Sequence, residues 1–308
     1  MNVKRTGWTF LWMTIAFLAA SVVVSSLFPD LGIGLTAFFS ELCLLIPALF
    51  FLLQGRAQLA GQLHIKPLKP VTVLLILVYH MCCYPLIIAM NAFTMAVTDN
   101  AAMELTSQFD GESFLAIWIF AGIIGPIVEE FVFRGTLLSG LRTTGRILTP
   151  IILSGFLFGL IHMNLNQFSY AVCMGIFWGL LVEATGSIFS SMICHVTTNS
   201  VSVLLSFLLE DTFEDLDGML AATGAESAAA YVSTGIMFLF ISIFTTIGAL
   251  LLLRVIALTE GRTGCFANIF RKKNRAERYG RIITVPMIAG MVISATVIIF
   301  MLIGDMMP

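Results

Sequence analysis

Long apolar runs alternate with short polar segments along the whole chain. Because an α-helix rises 1.5 Å per residue, about 20 apolar residues are needed to cross the hydrocarbon core of a bilayer. Nine runs approach or exceed this length, the fifth and sixth being short. They predict an all-α, polytopic membrane bundle of about nine transmembrane helices, with eight as the alternative count. The predicted spans are residues 9–28, 31–53, 71–96, 113–138, 149–163, 168–185, 188–209, 231–257 and 282–303.

The composition agrees with a membrane protein. Hydrophobic residues make up 58% of the chain and charged residues 11%, and the mean hydropathy is +0.98. About 25% of the residues of a soluble domain are charged, so these few charges cannot cover a soluble surface. We therefore expect one integral membrane domain over residues 1–308, with the lipid bilayer as its solvent. Nucleic-acid binding is not expected, because no basic stripe with interleaved aromatic residues occurs.

The charges also predict how the chain is oriented. With the N-terminus in the cytoplasm, all sixteen Lys and Arg residues fall on the cytoplasmic side or at that end of a helix. The charged residues of the opposite loops are all acidic. This is the positive-inside pattern. It predicts a multi-pass protein of the cell membrane whose C-terminus, after nine spans, lies outside. The first span is interpreted as a retained helix, because no small-residue cleavage site follows it and further spans come at once.

The fourth span carries three ionisable residues, Glu129, Glu130 and Arg134. Each ionisable residue inside a span costs about 2.5–3.5 kcal/mol on insertion scales, so these side chains need partners or a function. Glu130 and Arg134 are four residues apart on one helical face and are predicted to form a supporting ion pair. Glu129 points about 100° away, as the helical period of 3.6 residues requires. Its carboxylate is therefore left free.

Two further spans carry polar residues at a similar depth. The fifth holds His162, and the seventh holds His195 and Asn199, which share one face at i, i+4. Glu129, His162, His195 and Asn199 can converge if these three helices are neighbours, which gives a motif core of about residues 113–209. The pairs Gly155/Gly159 and Gly175/Gly179 have the small-xxx-small spacing that lets two helices approach closely.

A carboxylate with two imidazoles suits hydrolysis of an amide bond. The carboxylate can take a proton from the attacking water, one imidazole can orient that water, and amide or imidazole N–H groups can stabilise the oxyanion. A zinc ion held by Glu129, His162 and His195 is one alternative, and catalysis without a cofactor is the other. Other intramembrane protease chemistries are not indicated, because the sequence has no H-E-x-x-H motif, no Asp within a span and no G-x-S-G.

These motifs carry a family resemblance. Glu-Glu-x-x-Phe-Arg-Gly from Glu129, Phe-x-x-x-His ending at His162, and His-x-x-x-Asn from His195 to Asn199 occur in this order. The segment resembles the CAAX-processing and bacteriocin-processing (CPBP, or Abi) intramembrane endopeptidases, and its His-Met-Asn-Leu-Asn-Gln run is similar too. The resemblance implies that Glu129 and His162 activate water. It also implies that His195 and Asn199 stabilise the oxyanion, while Glu130 pairs with the residue at Arg134.

The resemblance thus predicts a membrane-embedded endopeptidase, metalloprotease-like or metal-free, whose substrate is a membrane-associated peptide or protein. Two alternatives stay open. One is a non-catalytic membrane immunity or scaffold protein of the same fold. The other is a proton-coupled transporter, since buried Glu and His side chains also suit proton relays. Glu41, His80 and Glu183 also lie within spans and are interpreted as structural, and His80 fits no motif.

Overall fold

The computed structural model describes residues 1–28, 31–54, 63–98, 113–208, 228–270 and 281–305. Within these ranges every regular element is helical and none is a strand, so the predicted all-α class is confirmed. We number the helices in chain order. They are α1 (Val3–Leu27), α2 (Ile33–Leu53), α3 (Pro70–Met95), α4 (Phe114–Arg142), α5 (Leu148–Ile161), α6 (Leu165–Thr185), α7 (Phe189–Leu208), α8 (Ala228–Thr259), α9 (Cys265–Phe270) and α10 (Val285–Asp305).

Each of the nine predicted spans corresponds to one of these helices. Among the described residues, eight helices are long and apolar enough to cross a membrane, and α5 is shorter, with 14 residues. At about 21 Å, α5 falls short of a hydrocarbon core of about 30 Å. The outer surface is strongly apolar: Phe240 and Phe244 of α8, for example, are each 64% exposed. Such a surface requires lipid around it, and the chain is a multi-pass membrane protein.

At one end of the bundle, ion pairs and a hydrogen bond join the ends of several helices. Glu183, at the end of α6, pairs with Arg142 at the end of α4 at 2.6 Å and with Arg262 after α8 at 3.3 Å. Glu260, just after α8, accepts a hydrogen bond from the backbone N–H of Lys69 before α3 at 3.1 Å. We call this end the basic end and the opposite one the distal end. These are the same helix ends that the distribution of Lys and Arg places on one side of the membrane. That this side is the cytoplasmic one stays a prediction.

Helix α4 is irregular around the predicted motif. Trp118–Ile124 and Phe131–Leu137 are π-helical, and they flank the α-helical segment Gly125–Glu130. A π-helix closes its hydrogen bonds from i to i+5 and is frequent at functional sites. The rotation of 100° per residue, on which the spacing argument depends, therefore applies to Gly125–Glu130 but not to the two π-helical segments beside it. Hydropathy gives no sign of this change, because both helix types are equally apolar.

The predicted glycine contact between α5 and α6 is confirmed. A Cβ atom on Gly175 would lie 2.6 Å from the Cα atom of Gly155, and a Cβ atom on Gly179 would lie 2.8 Å from a side-chain carbon of Ile151. Such distances are far below van der Waals contact, so only glycine permits this backbone approach. A Cβ atom on Gly175 would also lie 3.2 Å from Nη2 of Arg134. The glycine pair thus makes room for the buried arginine as well as for the neighbouring helix.

We therefore expect Gly175→Ala to destabilise the protein by about 1–3 kcal/mol, the range typical of overpacking a filled interior. The measurement is the melting temperature in detergent. Gly248→Ala is the matched control, because the nearest atom to its added Cβ is Cys82 Sγ at 4.0 Å. If both variants melt like the parent protein, the close packing of α5 against α6 is not tight in solution.

Candidate active site

A cavity of about 360 Å³ lies between α3, α4, α5, α6 and α7. Glu129, His162, His195 and Asn199 all line it, so the structure brings together the four residues that the motifs single out. Glu129 comes from α4, His195 and Asn199 come from α7, and His162 comes from the turn after α5. The floor and walls between them are aromatic and aliphatic side chains, among them Phe158 and Trp178. Polar groups converging in an apolar pocket are the usual composition of a small-molecule or peptide site.

Beneath the cavity lies a fully buried ion pair. Nη1 of Arg134 is 2.7 Å from Oε1 of Glu130, and neither side chain is exposed at all. The guanidinium carbon lies 4.3 Å from the ring centre of Phe158 and 5.3 Å from that of Trp178. Among the described residues, Nε and Nη2 of Arg134 have no hydrogen-bond acceptor. The aromatic faces therefore provide the remaining attraction for the cation. The predicted pair is present, together with an aromatic cage that the motifs do not reveal.

The imidazole of His195 contacts both glutamates. Its Nδ1 lies 3.1 Å from Oε1 of Glu130, and its Nε2 lies 3.5 Å from Oε2 of Glu129. The ring also packs on Trp178, with 4.5 Å between ring centres. The i, i+4 spacing predicts only the pair of Glu130 with Arg134, and the contact of Glu130 with His195 on α7 is not predicted from the sequence. Glu130 therefore orients His195, and His195 in turn places one nitrogen beside the carboxylate of Glu129.

A tight turn positions His162. Met163 has a positive φ of 55°, and the side chain of Asn164 caps α6 by accepting a hydrogen bond from the backbone N–H of Gln167 at 2.7 Å. Nδ1 of His162 lies 2.8 Å from the carbonyl oxygen of Phe158. A carbonyl only accepts, so Nδ1 carries the hydrogen and Nε2 is left as an acceptor. The fixed tautomer suits a ring that holds a water molecule by its O–H.

Asn199 is held from the other side. Its Nδ2 donates a hydrogen bond to the carbonyl oxygen of Ala121 in the first π-helical segment of α4, at 3.1 Å. An amide nitrogen has two hydrogens, so one remains to donate to a group in the cavity. The neighbouring Ser200 donates in the same way to the carbonyl of Gly122 at 3.2 Å. Carbonyl groups of the irregular helix thus fix the orientation of α7.

Glu41 and His80, which are expected from the sequence to be structural, lie near the site. Glu41 on α2 comes so close to Gly125, one turn before Glu129 on α4, that a Cβ atom on Gly125 would lie 3.2 Å from its carboxylate. His80 on α3 lies 2.9 Å from the hydroxyl of Thr198, which lines the cavity. The only signal in the sequence is an ionisable residue inside a span, which does not tell where that residue points.

The four cavity residues do not form a preformed metal site. In the part of the chain that the structure describes, no group of three or more His, Cys, Asp or Glu side chains is arranged to hold a metal ion. This includes Glu129, His162 and His195, the ligands considered for zinc. The contacts of His195 also engage both of its nitrogens with carboxylates. As placed, Glu129, His162 and His195 are not arranged as a three-ligand metal site, and no step below is derived through a metal ion.

Comparison with known proteins finds a family that the segment carrying this site resembles. Residues 111–201 match the family described as type II CAAX prenyl endopeptidase Rce1-like. The resemblance to CAAX-type membrane proteases is confirmed for this segment. The curated protein "Putative membrane peptidase YdiL" of Bacillus subtilis (strain 168) is 26% identical over 87 residues, which cover 28% of this chain and 36% of that protein. The chain thus matches about a third of this relative's length. No solved structure gives a significant match.

The buried pair makes a prediction about stability. Replacing Glu130 by Gln leaves Arg134 as an uncompensated buried charge, and breaking a buried pair in this way costs about 3–5 kcal/mol. We expect a clear drop in melting temperature and in yield. Glu129→Gln is the matched control. It removes a carboxylate from the same helix but leaves the pair intact, and its melting temperature should hold or rise. Equal melting temperatures for the two variants would contradict a structural role for Glu130.

Proposed function

We propose that this protein is an intramembrane endopeptidase of the CAAX-protease type, which hydrolyses peptide bonds of membrane-associated peptides or proteins. One observation carries the proposal. Glu129, His162, His195 and Asn199 line a single cavity, within the segment that matches a protease family. A function at such a site is argued from its geometry, because one fold can serve many activities.

In the proposed reaction Glu129 is the general base. A water molecule sits between its carboxylate and Nε2 of His162, which accepts the second hydrogen of the water. As the water oxygen attacks the carbonyl carbon of the substrate, its proton passes to Glu129 and the carbonyl π electrons move to oxygen. The product of this step is a tetrahedral intermediate with one negatively charged oxygen. General-base assistance of this kind contributes about 10²–10⁴-fold to the rate.

His195 and Asn199 stabilise the oxyanion in this proposal. The second amide hydrogen of Asn199, which Ala121 leaves free, is one donor. His195 is the other: it lines the same cavity, and its Nε2 lies 3.5 Å from Oε2 of Glu129, beside the proposed position of the attacking water. When the intermediate collapses, the C–N bond breaks and Glu129 returns its proton to the leaving amine. Donors held in place before the reaction stabilise such charge without reorganisation.

We propose catalysis without a metal, and this is testable. Cleavage should survive prolonged treatment of the purified protein with strong chelators, and elemental analysis should find no stoichiometric zinc. If chelation abolishes cleavage and added zinc restores it, the direct role of Glu129 in activating water is wrong.

Two alternatives predict other behaviour. A non-catalytic immunity or scaffold protein of this fold would keep its effect in cells after loss of Glu129, because binding of a partner needs no general base. A proton-coupled transporter would move a solute across vesicles in response to a pH gradient. The sequence has no internal repeat of the kind common in transporters, which favours the endopeptidase.

The central test is cleavage by the purified protein of a library of membrane peptides, read by mass spectrometry. We expect Glu129→Gln to lower the rate by about 10²–10⁴-fold, the contribution of a general base, while the protein stays folded. Glu129→Asp is the control, since it keeps a carboxylate at a shorter reach and should retain part of the activity. Full activity in Glu129→Gln would exclude the proposed role.

A further inference from the structure

A second cavity, of about 730 Å³, lies at the basic end of the bundle. It is formed by residues 247–258 of α8, by α9 and the turn before it, and by Leu148 of α5 and Leu180 of α6. No described residue lines both this cavity and the one at the candidate active site. Of its thirteen described lining residues, eleven are Leu, Ile, Ala or Phe, and the other two are Arg254 and Thr263. It is therefore an apolar groove with two polar groups, and we call it the basic-end groove.

The basic-end groove opens to the lipid-facing surface of the bundle. Leu250 and Leu258 on its rim are exposed, whereas Leu253 and Ala257 on its floor are buried. Residues 247–258 rise by about 16 Å along the helix axis, which is about half of a hydrocarbon core of about 30 Å. The groove therefore runs through about one leaflet from the basic end, and a hydrocarbon chain can lie in it.

A tight turn brings α9 alongside the end of α8, so that both helices line the groove. Gly261 has a positive φ of 73°, and its N–H donates to the carbonyl oxygen of Leu258 at 3.0 Å. The N–H of Arg262 donates to the carbonyl oxygen of Ala257 at 2.7 Å. These two hydrogen bonds form a Schellman motif, in which a glycine takes the left-handed conformation after the end of the helix. The buried side chain of Ile269 then holds α9 against the bundle.

Arg254 is the one charged group among the described residues of the groove. It lies five residues before the end of α8 at Thr259, about 7.5 Å along the helix axis, and from such a position an arginine side chain reaches the membrane interface. Its side chain is exposed, and among the described residues no carboxylate forms an ion pair with it. By contrast, Arg142 and Arg262 both pair with Glu183. The guanidinium of Arg254 is therefore open to an anion from the membrane.

The two polar groups of the groove suit a phosphate that carries no cation of its own. The guanidinium of Arg254 can donate two parallel hydrogen bonds to phosphate oxygens. Thr263 is exposed, and its hydroxyl, which has no partner among the described residues, can donate a third. A zwitterionic headgroup would also bring an ammonium group, and no described lining residue is acidic. The charge of the groove therefore favours an anionic lipid over a zwitterionic one.

We propose that the basic-end groove binds an anionic glycerophospholipid. Its phosphate accepts hydrogen bonds from Arg254 and Thr263, and an acyl chain lies along α8 among the apolar lining residues. Residues 271–280, which follow α9 directly, are not a suitable occupant, because six of these ten residues are charged. Binding there does not depend on peptidase activity.

Lipid binding by the purified full chain in detergent tests this site. The probes are phosphatidylglycerol and phosphatidylcholine with identical acyl chains, and inorganic phosphate alone. The measurements are the melting temperature and the apparent Kd by native mass spectrometry. We expect phosphatidylglycerol to bind more tightly than phosphatidylcholine and to raise the melting temperature, because a ligand that binds only the folded state stabilises it. Equal effects of the two lipids, or a rise with inorganic phosphate alone, would overturn the proposal.

Three variants locate the binding. Arg254→Gln should weaken phosphatidylglycerol binding about fivefold, the effect of losing one basic side chain near a membrane surface. Arg281→Gln is the matched control, because it also removes an exposed cation at the basic end but one that does not line the groove. Ala267→Trp, at an exposed lining position, should fill the groove and abolish the lipid-induced rise in melting temperature without a change of charge.

Two results with these variants would contradict lipid binding in the groove. One is equal affinity of Arg254→Gln and Arg281→Gln for phosphatidylglycerol. The other is a parent protein that is dimeric in detergent and becomes monomeric as the Ala267→Trp variant, because a second copy of the chain would then cover the groove instead of a lipid.

Discussion

The buried pair of Glu130 and Arg134 is the constraint on which the rest of the site depends. An arginine with no exposed surface needs compensation on every side, because desolvating a charge costs several kcal/mol. Glu130 supplies the opposite charge, and Phe158 and Trp178 supply the aromatic faces. The approach of α5 to α6 at Gly175 brings both rings to the guanidinium and leaves room for it. One ion pair thus requires three helices to pack in a single arrangement.

The same pair separates the roles of two adjacent glutamates. Glu130 points to Arg134 and His195, whereas Glu129 points to the cavity. Both lie in the short α-helical segment between two π-helical ones, where neighbouring side chains diverge by about 100°. Because Glu130 also fixes His195, loss of the pair would disturb the cavity even though Arg134 does not line it. A change at Glu130 is therefore expected to affect both the stability of the protein and its catalysis. A change at Glu129 is expected to affect catalysis and to leave the ion pair intact.

Much of this architecture follows from the sequence. Apolar length predicts every helix except the six-residue α9. Glycine spacing predicts the contact of α5 with α6, and i, i+4 spacing predicts the pair of Glu130 with Arg134. The failures share one cause: hydropathy gives the length of a helix but neither its local winding nor the direction of a side chain. The π-helical segments, the contact of His195 with Glu130 and the approach of Glu41 to Gly125 all depend on packing between helices. No pattern within one helix contains that information.

A hydrolytic site in this bundle must satisfy two opposite demands. Water has to reach Glu129, but water beside Arg134 would screen the pair and weaken the attraction that orders the helices. The two groups are about one helical turn apart on α4, so a channel along the helix axis cannot serve one without reaching the other. A layer of buried side chains resolves the conflict: Phe158 and Trp178, each 1% exposed, lie over the guanidinium of Arg134 and line the cavity on their other side. The ion pair is then on the dry side of this layer and the free carboxylate on the wet side. This closed wall is in this sense a consequence of burying a charge next to a reaction that consumes water.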